Sequence, residues 1–274
     1  MNPYLFAIDL DGTLLYDLDS MTERMVAFIK TLQKEGHKIV IATGRPYRAS
    51  DFIYDRLGLN TPIINYNGGL ISHPNDDGFE EINITVDKDA LIEIFDQNLS
   101  YIHNAFSEVK DAIYLYKDDE NIRPFLHKTD DSPLYVGHFK DILDCDPNGA
   151  LIMAEGNGGE MIKRYVDDHP DDEISARIWH VSKTYDAIVE VYPTKVNKGM
   201  ALAKVAAYLK IPRERIIAFG DGQNDIEMIE YAKVGVAMKN AYPELLEKAD
   251  LVLPHTSEEE GVRLFLQGFL EKPE

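Results

Sequence analysis

Asp9-Leu10-Asp11-Gly12-Thr13 follows directly on the apolar run Tyr4 to Ile8. Two carboxylates one residue apart point differently as a chain leaves a strand, so one can face a phosphorus atom while the other reaches an ester oxygen. Gly12 would let backbone N–H groups come close to phosphate oxygens. The same five residues also read as a strand closed by an Asp-Gly turn, with the carboxylates capping the next helix. A second segment, Ala42-Thr43-Gly44-Arg45, again ends an apolar run. There the Thr43 hydroxyl and the Gly44 N–H could hold a phosphoryl oxygen, or Thr43 could simply cap a helix. Lys198-Gly199 opens a helical pattern, and a solitary lysine there is ordinarily solvated. Last comes Gly220-Asp221-Gly222-Gln223-Asn224-Asp225 after the run Ile216 to Phe219. Its hard oxygen donors suit magnesium, which keeps several waters and takes few carboxylates. A calcium loop is excluded because the downstream glutamate spacing is missing.

The segments depend on the elements that carry them. Tyr4 to Ile8, Lys38 to Ala42 and Pro62 to Ile64 are short continuous apolar runs. Helical patterns at 22–35 and 48–57 separate them, as in a buried parallel sheet. Gly36 and Gly58 sit where helix C-terminal glycines are expected. The pattern returns with a helix at 198–209, a strand at 215–219, a helix at 225–233 and a strand at 234–238. Between them lie turn clusters, alternating strands such as Ala112 to Tyr116 and further helices. The expectation is an α/β, Rossmann-like core from residues 1–81 and 187–274, interrupted by an α+β insertion at 82–186.

Of 274 residues 45% are hydrophobic, enough for two domains, and the formal charge of −20 disfavours nucleic acid or anionic membrane as a partner. The stretch 84–186 holds 22 acidic against 10 basic residues, −12 of that total. Cys145 is the single cysteine, and the eight histidines show no metal-ligand spacing, so none is assigned to metal. No leader pattern or membrane-length apolar run is present, so a cytoplasmic protein is expected, monomeric or dimeric.

The four segments, in this order, resemble the haloacid dehalogenase superfamily, in its Cof-like phosphatase branch with a large α/β cap inserted after the second motif. Asn67-Gly68-Gly69 resembles a further element of that branch, and the resemblance continues to Ala249-Asp250 and Glu260-Gly261-Val262. It implies that Asp9 is nucleophile and metal ligand, and that Asp11 is general acid/base and gives its backbone carbonyl to the metal. Asp221 would be the second carboxylate ligand. Asp225 would act behind it or through water. Gly12, Thr43, Gly44 and Lys198 would bind the transferring phosphoryl group with support from Asn224, and Arg45 and Asn67 would lie near the substrate. Gln223 stands where glutamate is common. The implied reaction is magnesium-dependent hydrolysis of a small phosphate ester, such as a sugar phosphate, through an aspartyl phosphate. A phosphohexomutase would use the same residues, and a non-catalytic phospho-binding module is the alternative from another class.

Overall fold

The computed structural model describes residues 3–17, 19–168, 173–179 and 184–271. The chain divides into two units, one of residues 1–45, 50–82 and 197–274 and the other of residues 46–49 and 83–196.

The first unit begins with β1 (Leu5–Ile8), α1 (Glu23–Lys34), β2 (Lys38–Ile41), α2 (Asp51–Leu57), β3 (Ile63–Asn65), β4 (Leu70–Ser72) and β5 (Ile82–Asn83), whose last residue belongs to the second unit. α1 starts where the Thr22 hydroxyl accepts from the Met25 N–H, and it buries Met25, Val26, Ile29 and Leu32 at helical spacing. α2 is shorter than its sequence pattern, because Tyr47–Ala49 forms a separate 3-10 turn ahead of Ser50.

The second unit follows with α3 (Lys88–Gln97), β6 (Ile102–Val109), β7 (Ala112–Leu115), β8 (Leu134–Val136), α4 (Phe139–Ile142), β9 (Gly149–Ala154), α5 (Gly158–Asp167), β10 (Ile174–Trp179) and β11 (Ala187–Pro193). Then the first unit resumes with α6 (Lys198–Leu209), β12 (Ile216–Gly220), α7 (Ile226–Tyr231), β13 (Val234–Ala237), α8 (Pro243–Lys248), β14 (Leu251–Val252) and α9 (Gly261–Leu270).

In the first unit five parallel strands run in the order β14-β13-β12-β1-β2, and Ala42 bridges Ile64 so that β3 continues the array. β1 is central, pairing Leu5 with Ile216 on one side and Lys38 on the other. All four of its side chains are fully buried. A strand covered on both faces needs an unbroken apolar run, which is what this sequence supplies. Leu5 and Ala7 pack with Ala201, Leu202 and Val205 of α6 and with Met228 and Ile229 of α7. Rings on the other face meet α9, where Phe219 lies 5.6 Å from Phe265.

The second unit is a six-stranded sheet in the order β10-β11-β9-β6-β7-β8, antiparallel except for β7 against β8. α3, α4 and α5 cover one face through Leu91, Phe95, Phe139, Ile162 and Val166. On the other face Phe106, Leu115, Met153 and Ile188 are joined by Ile122 and Leu126 from the segment between β7 and β8.

The boundary expected at 186/187 needs correction. Ala187–Pro193 pairs with β9 and β10, so the chain leaves the second sheet only before Asn197. Its residues alternate, with Val189 and Val191 towards the helices and Glu190 and Tyr192 away from them. That is the period of a half-exposed antiparallel strand, unlike the continuous apolar runs of the core.

His37 gives the first unit a pH-sensitive joint. It is 4% exposed, its Nδ1 accepts from the Tyr4 N–H at 3.0 Å, and its ring lies 5.4 Å from Phe6. Burial holds its pKa below the ordinary 6.5, and Arg215 adds to this while Glu35 opposes it. A folded state that binds the proton less readily than the unfolded chain loses stability as pH falls through and below about 6.5. Denaturant midpoints should therefore fall on that acidic limb, and His37→Asn should flatten this part of the dependence.

Candidate active site

Three parallel strands end side by side, and each hands the chain to one motif. Asp9 follows β1, Thr43 follows β2 by two residues, and Asp221 follows β12. Ligands bind at such carboxyl ends because neighbouring loops diverge there. Neither Asp9 nor Asp11 caps α1, since Thr22 does so, and Ser50 rather than Thr43 precedes α2.

Lys198 organises the centre. Asn197 caps α6 by accepting from the Met200 N–H, which fixes the helix start and carries Lys198 inward. Its side chain is fully buried, and Nζ donates to Asp9 Oδ1 at 2.5 Å and to Asp225 Oδ1 at 2.6 Å. Burial alone would lower the Lys198 pKa, but Asp225 and Asp9 more than reverse this, so the ammonium stays charged. Gly199 permits the approach of α7, because a Cβ there would lie 2.3 Å from the Glu227 carbonyl oxygen.

One carboxylate oxygen from each of Asp9, Asp221 and Asp225 lies within 4.8 Å of the others. Asp225 is 1% exposed, and its Oδ2 accepts from the N–H groups of Asp221 (3.0 Å) and Gly222 (2.9 Å). Asp221 Oδ1 accepts from the Thr13 hydroxyl at 3.0 Å. Gly12 has φ +77°, and a Cβ there would fall 2.3 Å from Asp221 Oδ2, so the first and last motifs meet only because this residue is glycine. Burial pushes the Asp9 pKa well above its ordinary 3.8, helped by Asp225 and Asp221 and opposed by Lys198. Asp221 is pushed up to about 6, by burial first and then by Asp225.

These shifts test whether the residues fit a cation. Asp9, Asp11, Asp221 and Asp225 face two positive side chains, Lys198 and Arg45. A hard divalent cation bound by carboxylate oxygen would offset that excess and favour the ionised form of Asp9. The donor set therefore fits one, through Asp9 and Asp221. Asp225 gives its oxygens to backbone and Lys198, and so stands behind them.

Asp11 turns elsewhere. Its carboxylate, half exposed, takes a two-pronged ion pair from Arg45, with Nε to Oδ2 at 2.9 Å and Nη2 to Oδ1 at 2.5 Å. Arg45 thus reaches the acid itself. Thr43 is fully buried. Its hydroxyl accepts from the Arg45 N–H at 3.1 Å, and its carbonyl accepts from the Asn67 N–H at 3.0 Å. Asn67 has φ 55°, a left-handed conformation that asparagine tolerates, and its Oδ1 accepts from Asn224 Nδ2 at 2.8 Å. A Cβ on Gly44 would sit 3.2 Å from that oxygen.

All eleven residues expected from sequence thus lie in the first unit, and hydrogen bonds join most of them in two groups, Asp9, Lys198, Asp225 and Asp221 in one and Asp11, Arg45, Thr43, Asn67 and Asn224 in the other. Sequence reasoning gave no role to Thr13, although it closes the first motif. Its position within that motif was the available signal. His169 and His180 lie outside the described residues.

The family described as haloacid dehalogenase-like hydrolase matches residues 6–266. A 5-amino-6-(5-phospho-D-ribitylamino)uracil phosphatase, YitU of Bacillus subtilis (strain 168), is 36% identical over 268 residues, 97% of each chain. YwtE, of the same description and organism, is 31% identical and aligns over 96% of this chain and 97% of its own. A haloacid dehalogenase-like hydrolase from Bacteroides thetaiotaomicron shares the fold with a TM-score of 0.81 at 23% identity, over 98% of this chain and all of that one. The chain therefore belongs to the haloacid dehalogenase-like hydrolases. It is an enzyme of their phosphatase branch, a phosphoric monoester hydrolase.

A cation entering this site competes with protons for the Asp221 and Asp9 carboxylates, which burial holds above the ordinary carboxylate range. Its affinity should weaken as pH falls through about 6 and level off well above that value. Calorimetric titration of the metal-free protein in buffers of different ionisation enthalpy should show protons released on binding below that plateau. An affinity that does not change from pH 5 to 8 would rule the coupling out.

Proposed function

We propose that the enzyme hydrolyses a small phosphate monoester in two steps through an aspartyl phosphate on Asp9, with magnesium as its metal. The observation that carries this reading is the buried Lys198 ammonium shared by Asp9 and Asp225, beside the three converging carboxylates. Magnesium, held by Asp9, Asp221 and the Asp11 backbone carbonyl, would screen the negative charge that otherwise repels a carboxylate from a phosphate ester.

In the first step an Asp9 oxygen attacks phosphorus and the bond to the ester oxygen breaks. The electron pair leaves with that oxygen, which takes a proton from Asp11 to depart as an alcohol. Lys198 neutralises the developing charge, while the Thr43 hydroxyl and neighbouring N–H groups, Gly44 among them, hold the equatorial oxygens. In the second step water attacks the same phosphorus and gives its proton to Asp11. The bond to Asp9 breaks, inorganic phosphate leaves, and the carboxylate is regenerated. Asn67, joined to Asn224, shapes the wall beside the phosphate.

The second unit would choose the leaving group, since the motif residues offer groups only for phosphate, metal and proton transfer. The curated relatives support a particular class of substrate. YitU and YwtE are described as acting on a 5-phosphoribitylamino-uracil, a primary phosphate on a polyhydroxylated chain that ends in a heterocyclic ring. We take that class as the substrate here. The excess of acids in the second unit agrees with a leaving group that carries no further phosphate.

Rapid-quench experiments with labelled substrate separate the two acids. Asp9→Asn should form no phosphoenzyme and fall to background. Asp11→Asn should lose roughly 10²–10⁴-fold in turnover of an alkyl phosphate. With a nitrophenyl ester, whose leaving oxygen needs little protonation, the phosphoenzyme should still form and should accumulate. Chelation should abolish turnover, and magnesium should restore it where calcium does not. Acyl-phosphate label on Asp9→Asn, or equal slowing of both esters without accumulation in Asp11→Asn, would overturn the roles. Conversion of a hexose monophosphate to its isomer, without phosphate release, would favour a mutase instead.

A further inference from the structure

Arg45 faces two acids that belong to one segment of the first unit. The chain leaving β1 closes a tight turn, in which the Gly12 N–H donates to the Leu15 carbonyl, and then forms an antiparallel bridge between Asp17 and Ser20. Asp11 lies in the turn and Asp19 beside the bridge. Arg45 gives Nε and Nη2 to Asp11, while its Nη1 stands 3.6 Å from Asp19 Oδ1. The Arg45 side chain is 5% exposed and that of Asp19 is 71% exposed. The chemistry at Asp9 assigns no part to Asp19.

A two-pronged pair holds Asp11 only while both of its oxygens accept from the planar guanidinium. To protonate an ester oxygen, Asp11 must instead turn one oxygen towards the substrate and donate from it. At least one prong therefore opens in the first step. A guanidinium N–H that is out of water then loses its acceptor, and that loss is costly unless another acceptor takes its place. Asp19 is a carboxylate already within ion-pair range of the same group. A shift of less than about 1 Å would bring it to hydrogen-bond length.

We propose that Asp19 is a positioning residue for proton transfer, taking over the Arg45 guanidinium as Asp11 turns to the leaving oxygen and giving it back once the proton is delivered. The exchange makes and breaks hydrogen bonds alone. It rests on the two-step reading above and deepens it, by naming what allows the acid to leave its partner.

An ion pair with so exposed a partner ordinarily contributes almost nothing, so an Asp19 with no part in the reaction could be replaced without effect on rate. Rapid quench of wild type, Asp19→Asn and Asp19→Ala should follow phosphoenzyme formation from the alkyl ester named for YitU and from p-nitrophenyl phosphate. Formation from the alkyl ester should slow roughly tenfold in both variants, the loss expected when a charged acceptor is removed. Formation from the nitrophenyl ester, whose leaving oxygen needs little protonation, should stay within about twofold, and KM for both esters should hold within the same margin. In an Arg45→Ala background the Asp19 substitutions should add nothing, because no guanidinium remains to be passed across. Unchanged rates with the alkyl ester overturn the proposal. So do equal slowing of both esters, a shared change in KM alone, or an undiminished effect in the Arg45→Ala background. A wild type that forms no phosphoenzyme sinks the two-step reading itself, which the other outcomes leave standing.

Discussion

A fully buried ammonium between two carboxylates holds this site together. Lys198 is tolerable in the interior only because Asp9 and Asp225 both accept from it, and those acids are tolerable there only because Lys198 is charged. The triplet draws α6, the end of β1 and the loop after β12 to one point. It is also unbalanced. A third acid, Asp221, lies beside the pair, and burial together with Asp225 pushes its pKa up to about 6. What remains is a place where positive charge is wanted, facing the residue that must carry negative charge to react. Stability and reactivity are thus set by the same few ångströms, and the core strands exist largely to hold that spacing rigid.

Much of this was legible from sequence, for a definite reason. The strands that position the motifs are buried on both faces, so they appear as unbroken apolar runs. The reactive residues are the polar ones that interrupt those runs at Asp9, Thr43 and Asp221. The helix Lys198–Leu209 emerged with its bounds intact because Asn197 is a strong cap. What sequence could not show was pairing across long separations. Lys198 reads as an ordinary surface lysine until α6 is packed against β1, 189 residues away. Arg45 was expected beside the substrate, and its grip on Asp11 depends on how two strand ends diverge.

The domain boundary failed for a related reason. The switch from alternating to continuous apolar pattern is a sound signal, but Ala187–Pro193 is short and its alternation holds only two polar positions, Glu190 and Tyr192. Nor does any local feature of residues 46–49 reveal that they pack with the second sheet. Arg48 makes that choice by pairing with Glu108, and the two meet only after β6 has formed.

The order of strands in the core sheet has a consequence for how the protein is made. β1 lies between β2 and β12, so Leu5 must find Ile216 across more than two hundred residues of intervening chain. On a ribosome working from the N-terminus, β1 can pair with β2 early but must keep its other edge open until the last quarter of the chain emerges. The second sheet, by contrast, takes all its strands from residues 102–193 and can close before that moment. The inserted unit is then the first compact body to form during synthesis. The catalytic half waits as an unfinished sheet, with the N–H and C=O groups along one edge of β1 unpaired and open to another strand until β12 is complete.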